Sequence, residues 1–589
     1  MKNSLLLAVL TLGLGTVGTS EAITILSGPS FTRANRAPLA GTLDLTTDVP
    51  SRVSVSVSDG GQTWERSFYD YQTTHSVPLF GFKTRRTNNL TVTVWDRFRN
   101  SFTAASVAFI TGPLPPAFPR MNVLVSRPDK MEPGYTLFRV ANTTSNVSYV
   151  TFVDNQGEVV WYSPNFLVST IADVVRLDNG NLFIPLATTF VEVNLLGEIV
   201  NLWRAPNQLT IDPHDGVLTD RDSILFLNTD SRVVSGFPTS ATDPYAPTQT
   251  ATVRFNRVIE MSATNSALLN NWSVIDLLDP LRITYLTFTS GYRGWDSEHA
   301  NAVIEDPRDD SLIVSLRHQN AVIKFSRDGQ LKWILGPPEN WGPDLQSRLL
   351  TPVGTPFEWN YAQHAPMITP RGTLLVFDNG NFRANPFDPT VPDFANYSRA
   401  VEYDINEQRM EVTQMWEYGG NIAEPLYADR VGNADWLPNT GNVLVTFGSV
   451  GYINCVSPSA ASPAARMVRI KEVTHDAPAD VVFDLSIFDY NNNSPGYLGY
   501  WVYRSRRVPD LYGHPPAPVA DLAVKSDTGA AHLQFSGDPA RNYVVETSTD
   551  LNHWTELGAA QAGEGGTYDF LDPAGAGGSA GHYYRVVTR

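Results

Sequence analysis

Period-two alternation of apolar and polar residues recurs along this chain. Val53-Ser54-Val55-Ser56-Val57 and Leu90-Thr91-Val92-Thr93-Val94-Trp95 alternate as half-buried strands do, because successive side chains of a strand point to opposite faces of its sheet. Gly112-Pro113-Leu114-Pro115-Pro116 then interrupts the pattern as a linker. Residues 23–111 are therefore expected to form a small N-terminal β-sandwich.

Beyond that linker, strand-like segments end in turns such as Asp178-Asn179-Gly180-Asn181, Asp328-Gly329 and Asn439-Thr440-Gly441-Asn442. Aromatic residues close the segments that follow: Gly157-Glu158-Val159-Val160-Trp161, Gly197-Glu198-Ile199-Val200-Asn201-Leu202-Trp203, Gly329-Gln330-Leu331-Lys332-Trp333 and Gln414-Met415-Trp416. Short meanders of this kind cannot bury both faces without neighbours, so the pattern predicts a β-propeller over 120–513. Six blades would each take roughly 65 residues, which implies decorating loops. A second linker, His514-Pro515-Pro516-Ala517-Pro518, precedes residues 519–589, where Tyr543-Val544-Val545-Glu546-Thr547 and Tyr583-Tyr584-Arg585-Val586-Val587 are similar to a fibronectin type III-like β-sandwich. The expected fold class is all-β: a six-bladed propeller between two sandwiches.

The repeat register points to the chemistry. Asp173 lies nine residues before Leu182, His214 ten before Ile224, His364 ten before Leu374 and Asn433 ten before Val443. His299 falls thirteen before Leu312, the acidic loop Glu305-Asp306-Pro307-Arg308-Asp309-Asp310 supplying the excess. Equivalent positions of successive blades form a ring about a propeller's axis. Three of the chain's 10 histidines are therefore expected to converge at one mouth of the channel.

Composition narrows the partners. The 43 basic and 60 acidic residues give a net charge of −17, and no Lys/Arg-rich run exists to bind a phosphate backbone or an anionic membrane. No nucleic-acid partner is expected. The start, Met1-Lys2-Asn3-Ser4 with an apolar stretch from Leu5 to about Val17 and Thr19-Ser20-Glu21-Ala22, reads as a signal peptide over 1–22, so export to the periplasm or medium is expected. No later stretch reaches the roughly 18 apolar residues of a spanning helix. The single cysteine, Cys455, cannot form an internal disulfide.

Each candidate group has a plainer role to weigh. A propeller can use histidine as an inter-strand hydrogen-bond partner, and neutral imidazole also binds zinc or copper, although no H-x-x-x-H or C-x-x-C spacing supports a metal. Arg317, in Ser315-Leu316-Arg317-His318-Gln319, is placed by the pattern at a strand end, where a guanidinium fork can hold a tetrahedral oxyanion or simply make a salt bridge. Asp378-Asn379-Gly380 reads first as a turn. The acidic loop reads as solvated, since Asp306, Asp309 and Asp310 do not match a calcium loop. Neither a G-x-x-x-x-G-K-[ST] phosphate loop nor a G-x-S-x-G elbow occurs, and Cys455-Val456-Ser457-Pro458 is not the run of a formylglycine sulfatase.

Four groups of residues together resemble the bacterial arylsulfate sulfotransferases over about 120–510. They are Trp295-Asp296-Ser297-Glu298-His299-Ala300-Asn301; Asp309-Asp310-Ser311 through Ser315-Leu316-Arg317-His318-Gln319; Gln363-His364 with Phe377-Asp378-Asn379-Gly380; and Ser398-Arg399-Ala400-Val401-Glu402-Tyr403 with Trp416-Glu417-Tyr418-Gly419. The resemblance implies a six-bladed propeller behind an N-terminal sandwich. It implies a sulfuryl group moved from an aryl sulfate donor to a phenolic acceptor with no cofactor and no metal, independent of phosphoadenosine phosphosulfate. It makes His364 the nucleophile of a ping-pong reaction through a sulfohistidine, and His214, His299, Asn301 and Arg317 the sulfuryl-binding residues. His214 or His299 would protonate the leaving phenolate and deprotonate the acceptor. Two features depart from the family: a short-range disulfide that one cysteine cannot make, and the C-terminal sandwich. A reading from another class is a secreted propeller that binds a metal or glycan without catalysis.

Overall fold

The computed structural model describes residues 8–9 and 23–588, apart from 97–99, 143, 145–146, 165–172, 289–294, 421, 461, 493, 513–519, 528–529, 538–542, 550–553, 564–566 and 573–582. The linker His514–Pro518 and the expected cleavage point after Ala22 lie outside the described residues. Within 1–22 only Ala8–Val9 is described, a two-residue strand paired with Tyr583 and Tyr584. Among the described residues, strands carry nearly all regular structure and helical backbone is confined to short 3-10 turns. None of these is a helix long and apolar enough to cross a membrane.

Two compact units divide the chain: Met1–Pro113 with Asp178–Gly180 and Tyr512–Arg589, and Leu114–Leu177 with Asn181–Leu511. In the first, the long strand Gly41–Ser58 pairs with Ile25–Arg33, Thr63–Leu79 and Thr87–Trp95. Val53, Val55, Val57, Leu90, Val92 and Val94 are all buried, the faces that the alternation assigned to the core. Towards the C-terminus, one sheet holds Ala520–Asp527, Ala530–Ser536 and Thr567–Asp572, and another holds Tyr543–Ser548, Thr555–Ala559 and Tyr583–Thr588. Leu533, Phe535 and Tyr568 of one pack with Tyr543, Val545 and Tyr584 of the other.

The second unit contains six sheets, antiparallel except where Trp295–Asp296 and Thr351–Pro352 add short parallel pairs to the third and fifth. The first holds Val159–Pro164, Val147–Val153, Tyr135–Asn142 and, from the far end of the unit, Tyr500–Val508. Sheets two to five are built from consecutive segments that begin with Val175–Arg176, Gly216–Leu218, Ala300–Asp306 and Thr351–Pro352. The sixth, containing Asn433–Trp436, Val443–Ile453, Met467–Val473 and Val481–Ile487, is completed by Met121–Ser126. Each end of the unit is thus hydrogen-bonded into a sheet formed mainly by the other end.

Packing between successive sheets explains why many strands read as continuous apolar runs. In the third sheet, Ile224, Phe226 and Ile259 face Phe183, Phe190 and Trp203 of the second, while Leu225, Leu227 and Val258 face Val303, Val314 and Ile323 of the fourth. A strand buried on both faces has no polar side to show. The aromatic closers also act as staples. Trp161 Nε1 donates to Leu195 O, Trp203 to Ala263 O, Trp272 to Arg327 O, Trp333 to Glu407 Oε1 and Trp416 to Asp476 O, at 2.7–3.1 Å. Each indole joins the last strand of one sheet to a turn of the next.

In the acidic loop Pro307, Arg308 and Asp309 are exposed, as the solvated reading expects, and Asp306 alone is buried. Asp306 is fully buried and accepts from Lys324 Nζ at 2.8 Å and Arg308 Nε at 2.8 Å; Lys324 also reaches Asp309 and Glu407, and Arg327 pairs with Glu305 and Asp310. Lys324 lies on the strand Ala321–Phe325, Arg327 in the turn after it and Arg308 in the loop itself, so ion pairs anchor the loop at its base.

Candidate active site

The five register residues stand at the heads of successive sheets. His364 begins the strand His364–Ile368 of sheet five and Asn433 the strand Asn433–Trp436 of sheet six, His299 precedes Ala300–Asp306 by one residue, and Asp173 and His214 precede Val175–Arg176 and Gly216–Leu218 by two. The backbone there is irregular. His299, Ala362 and Ala365 have φ of 48°, 55° and 49°, the left-handed region that side chains with a Cβ rarely adopt, and the ladder shifts register between Ala300 and Ala302 and between His364 and Met367. Bulges of this kind re-aim side chains, and strain in this region persists only where surrounding contacts impose it.

His364 is 2% exposed. Its Nδ1 faces Asn379 Oδ1 at 2.6 Å and Ala362 O at 3.2 Å, so Nδ1 carries the proton and Nε2 keeps a lone pair. The amide of Asn379 cannot flip without loss, because its Nδ2 donates to Ala428 O and Val431 O, both at 2.9 Å. Burial, then the Arg317 guanidinium, push the His364 imidazole well below its ordinary value, which keeps the ring neutral. Asp378, next to Asn379, is fully buried and serves elsewhere, accepting Arg399 Nε at 2.9 Å and the Tyr361 amide at 2.9 Å.

Two more rings belong to the same cluster. His214 Nδ1 pairs with Asp212 Oδ1, and His299 Nδ1 lies 2.7 Å from Asp296 Oδ2. The His214 and His299 rings are 5.0 Å apart, and Tyr503 lies 5.8 Å from His214 and 6.5 Å from His364. His299 stacks at 4.4 Å on His318, a buried ring whose Nδ1 donates to Asp296 O at 2.8 Å and whose Nε2 accepts Arg317 NH1 at 2.9 Å. Burial lowers both His299 and His318; it also opposes ionisation of Asp296 and Asp212, but the adjacent rings outweigh it and hold both carboxyls below the usual carboxylate range.

Arg317 follows the strand Ser311–Leu316 and begins a single 3-10 turn. Its NH2 donates to Asp429 O at 3.1 Å, while its buried Nε has no partner among the described residues. Burial, and next the Arg430 guanidinium, lower it to about 10, still cationic at neutral pH. Asn301, fully buried, donates Nδ2 to Gln363 O at 2.8 Å and leaves Oδ1 unpartnered; its own carbonyl accepts Tyr503 Oη and Arg504 NH2, each at 2.9 Å. The structure thus places His214 and His364 beside Tyr503, with His299 against His214, and ties Asn301 to the residue before His364. Asp173 and Asn433 stand apart: Asp173 pairs with Arg504 and Arg506, and Asn433 exchanges two hydrogen bonds with the Ser505 backbone.

The arylsulfotransferase (ASST) family model matches residues 121–497, more than half of the chain. The chain belongs to the arylsulfotransferase family. Arylsulfate sulfotransferase AssT of Escherichia coli O6:H1 is 34% identical over 197 residues, 31% of this chain and 32% of that protein; the Lelliottia amnigena protein of the same name is 29% identical over 227 residues, 36% of each chain. The aligned stretches span about a third of these relatives. A solved protein from Bacteroides caccae is 11% identical, with a TM-score of 0.35, over 63% of this chain and 98% of that one.

In this arylsulfotransferase-family chain, Tyr503 and Arg504 lie beyond the matched stretch yet touch the site. Among the described residues, Asp296, His299 and His318 lie close enough to share a cation. Both nitrogens of His318 already face partners, and His299 Nδ1 is aimed at Asp296, so the group is satisfied as a hydrogen-bond network. Sequence reasoning missed Asp212, Asp296, His318 and Asn379 as partners of the reacting groups. The first two were visible as Asp-x-His and Asp-x-x-His, whereas Asn379 meets His364 only through strand pairing.

Proposed function

We propose that this protein transfers a sulfuryl group from an aryl sulfate to a phenol, through a sulfohistidine at His364, without phosphoadenosine phosphosulfate. Membership of the arylsulfotransferase family supports the reaction class. One observation carries the covalent step: the buried, neutral His364 holds its proton on Nδ1 against Asn379, so Nε2 can attack sulfur. As Nε2 forms the N–S bond, the aryl S–O bond breaks and negative charge develops on the departing oxygen. The free Nε–H of Arg317 is the donor best placed to hold a sulfuryl oxygen, and Asn301 fixes the Gln363 carbonyl beside the nucleophile. A phenolic acceptor then removes the group by the reverse displacement.

In this reading the six sheets are the blades of a propeller, closed at both ends by strand exchange, with the register residues around its channel. The flanking strand-rich segments 23–111 and 519–589 are sandwiches, and the protein is exported to the periplasm or the medium. Incubation with a chromogenic aryl sulfate tests the activity. Phenol release that depends on an added phenol, with a sulfated acceptor formed in equal amount, is the expected result; hydrolysis alone, or no release, contradicts it.

A further inference from the structure

His364, His214 and His299 share one arrangement and differ in a single partner. Each directs Nδ1 at an oxygen and so leaves Nε2 to act, but the oxygen belongs to the neutral amide of Asn379 for His364 and to a carboxylate, Asp212 or Asp296, for the other two. A carboxylate favours the imidazolium form, whereas an amide oxygen lacks the charge to do so. The nucleophile and the proton carriers are therefore separated by their partners.

The two carboxylate-paired rings are not equivalent. His299 stacks on His318, which is bonded to Arg317, so a proton on His299 would stand one ring away from a guanidinium. Among the described residues, the hydrogen-bond and ring partners of His214 are Asp212, His299 and the phenol of Tyr503, and no cationic side chain is among them. Asp212 is itself held, since Thr229 Oγ1 donates to its Oδ2 at 3.0 Å. Resting on the sulfuryl-transfer reading, we propose that His214 is the proton carrier of the reaction and that Asp212 is the positioning residue that makes it one. In the first half-reaction the departing aryl oxygen takes the electron pair of the S–O bond and a proton from His214 Nε2. In the second, His214 Nε2 takes the acceptor's proton while the acceptor oxygen bonds sulfur and the N–S pair returns to His364. The proton count closes over one turnover.

The test is the leaving-group dependence of phenol release with donor alone. A phenol of pKa about 10 needs its proton as it departs, whereas an activated nitrophenol does not. Asp212→Asn is expected to slow release from phenyl sulfate about 100-fold and from 4-nitrophenyl sulfate only a few-fold, since general acid catalysis contributes about 100-fold or more. An equal loss with both donors assigns Asp212 a structural role and overturns the inference. So does a steeper dependence in Asp296→Asn with none in Asp212→Asn. If Asp212→Asn does not fold, Thr229→Val removes the hydrogen bond to Asp212, along with a long 3.4 Å contact from Asn256 Nδ2, and should steepen the dependence in the same direction; no steepening overturns the inference. A wild-type protein that releases no phenol from either donor overturns the sulfuryl-transfer reading itself, and the inference with it.

Discussion

Asp173 and Asn433 occupy the same register as His214, His299 and His364, yet the two sets do opposite things. Every polar atom of the outer pair is engaged: Asp173 takes the Val174 amide, Arg504 and Arg506, and Asn433 uses both amide atoms on Ser505. Both tie their sheets to the strand Tyr500–Val508, which completes the first sheet. Each of the three histidines commits Nδ1 and retains Nε2. One position at the head of a strand therefore has its atoms exhausted in structural contacts at two sheets and, in the proposed reaction, one left over for chemistry at three.

Substitutions on the two sides should separate activity from stability. The largest effect is expected from His364→Ala: transfer abolished, with thermal unfolding close to that of the parent. A folded variant with parental turnover would end the distinction. Arg317→Lys should follow, losing about 10- to 100-fold in kcat/KM, because a lost charge-assisted bond costs about 1.5–3 kcal/mol and one ammonium cannot reproduce the fork. On the structural side the sign is reversed. Asp173→Ala leaves Arg504 and Arg506 short of a buried partner, which should cost about 3–5 kcal/mol of stability in denaturant melts while the folded fraction still turns over.

The smallest effect sharpens the comparison by exchanging roles. Asn379→Asp places a carboxylate against His364 and so raises its proton affinity. The lone pair on Nε2 is lost as pH falls through the imidazole pKa, which burial and Arg317 hold well below the ordinary value in the parent. The acid limb of donor kcat/KM should accordingly move to higher pH in the variant. A pH profile unchanged by the substitution would mean that Asn379 does not set the state of His364.

The two sides were unequally legible in sequence. The shared register was readable because the repeat turns are marked by glycine or asparagine, and every apolar position of the alternation at Val53–Val57 and Leu90–Val94 is buried, although Ser54 is buried with them. Four indole staples were visible as aromatic closers. The fifth, Trp272, was not, because its turn runs through Ser266 in a left-handed conformation in place of glycine. What distinguished the two sides was hidden, since Arg504 and Ser505 meet Asp173 and Asn433 across more than seventy residues of chain. The burial of Asp306 in an otherwise exposed loop was hidden too, because its partner Lys324 comes from another strand.

The central claim is that His364 carries the sulfuryl group between two phenols. Intact-mass spectrometry of protein mixed with donor alone and quenched in alkali tests it most directly. The account predicts one added sulfuryl group per chain, mapped to His364, with about one equivalent of phenol released before turnover stalls; protonation of the imidazole makes it a better leaving group, so acid should remove the adduct. Turnover without any adduct, together with double-reciprocal plots that intersect, would mean that both substrates bind at once and that His364 is a base and not the nucleophile.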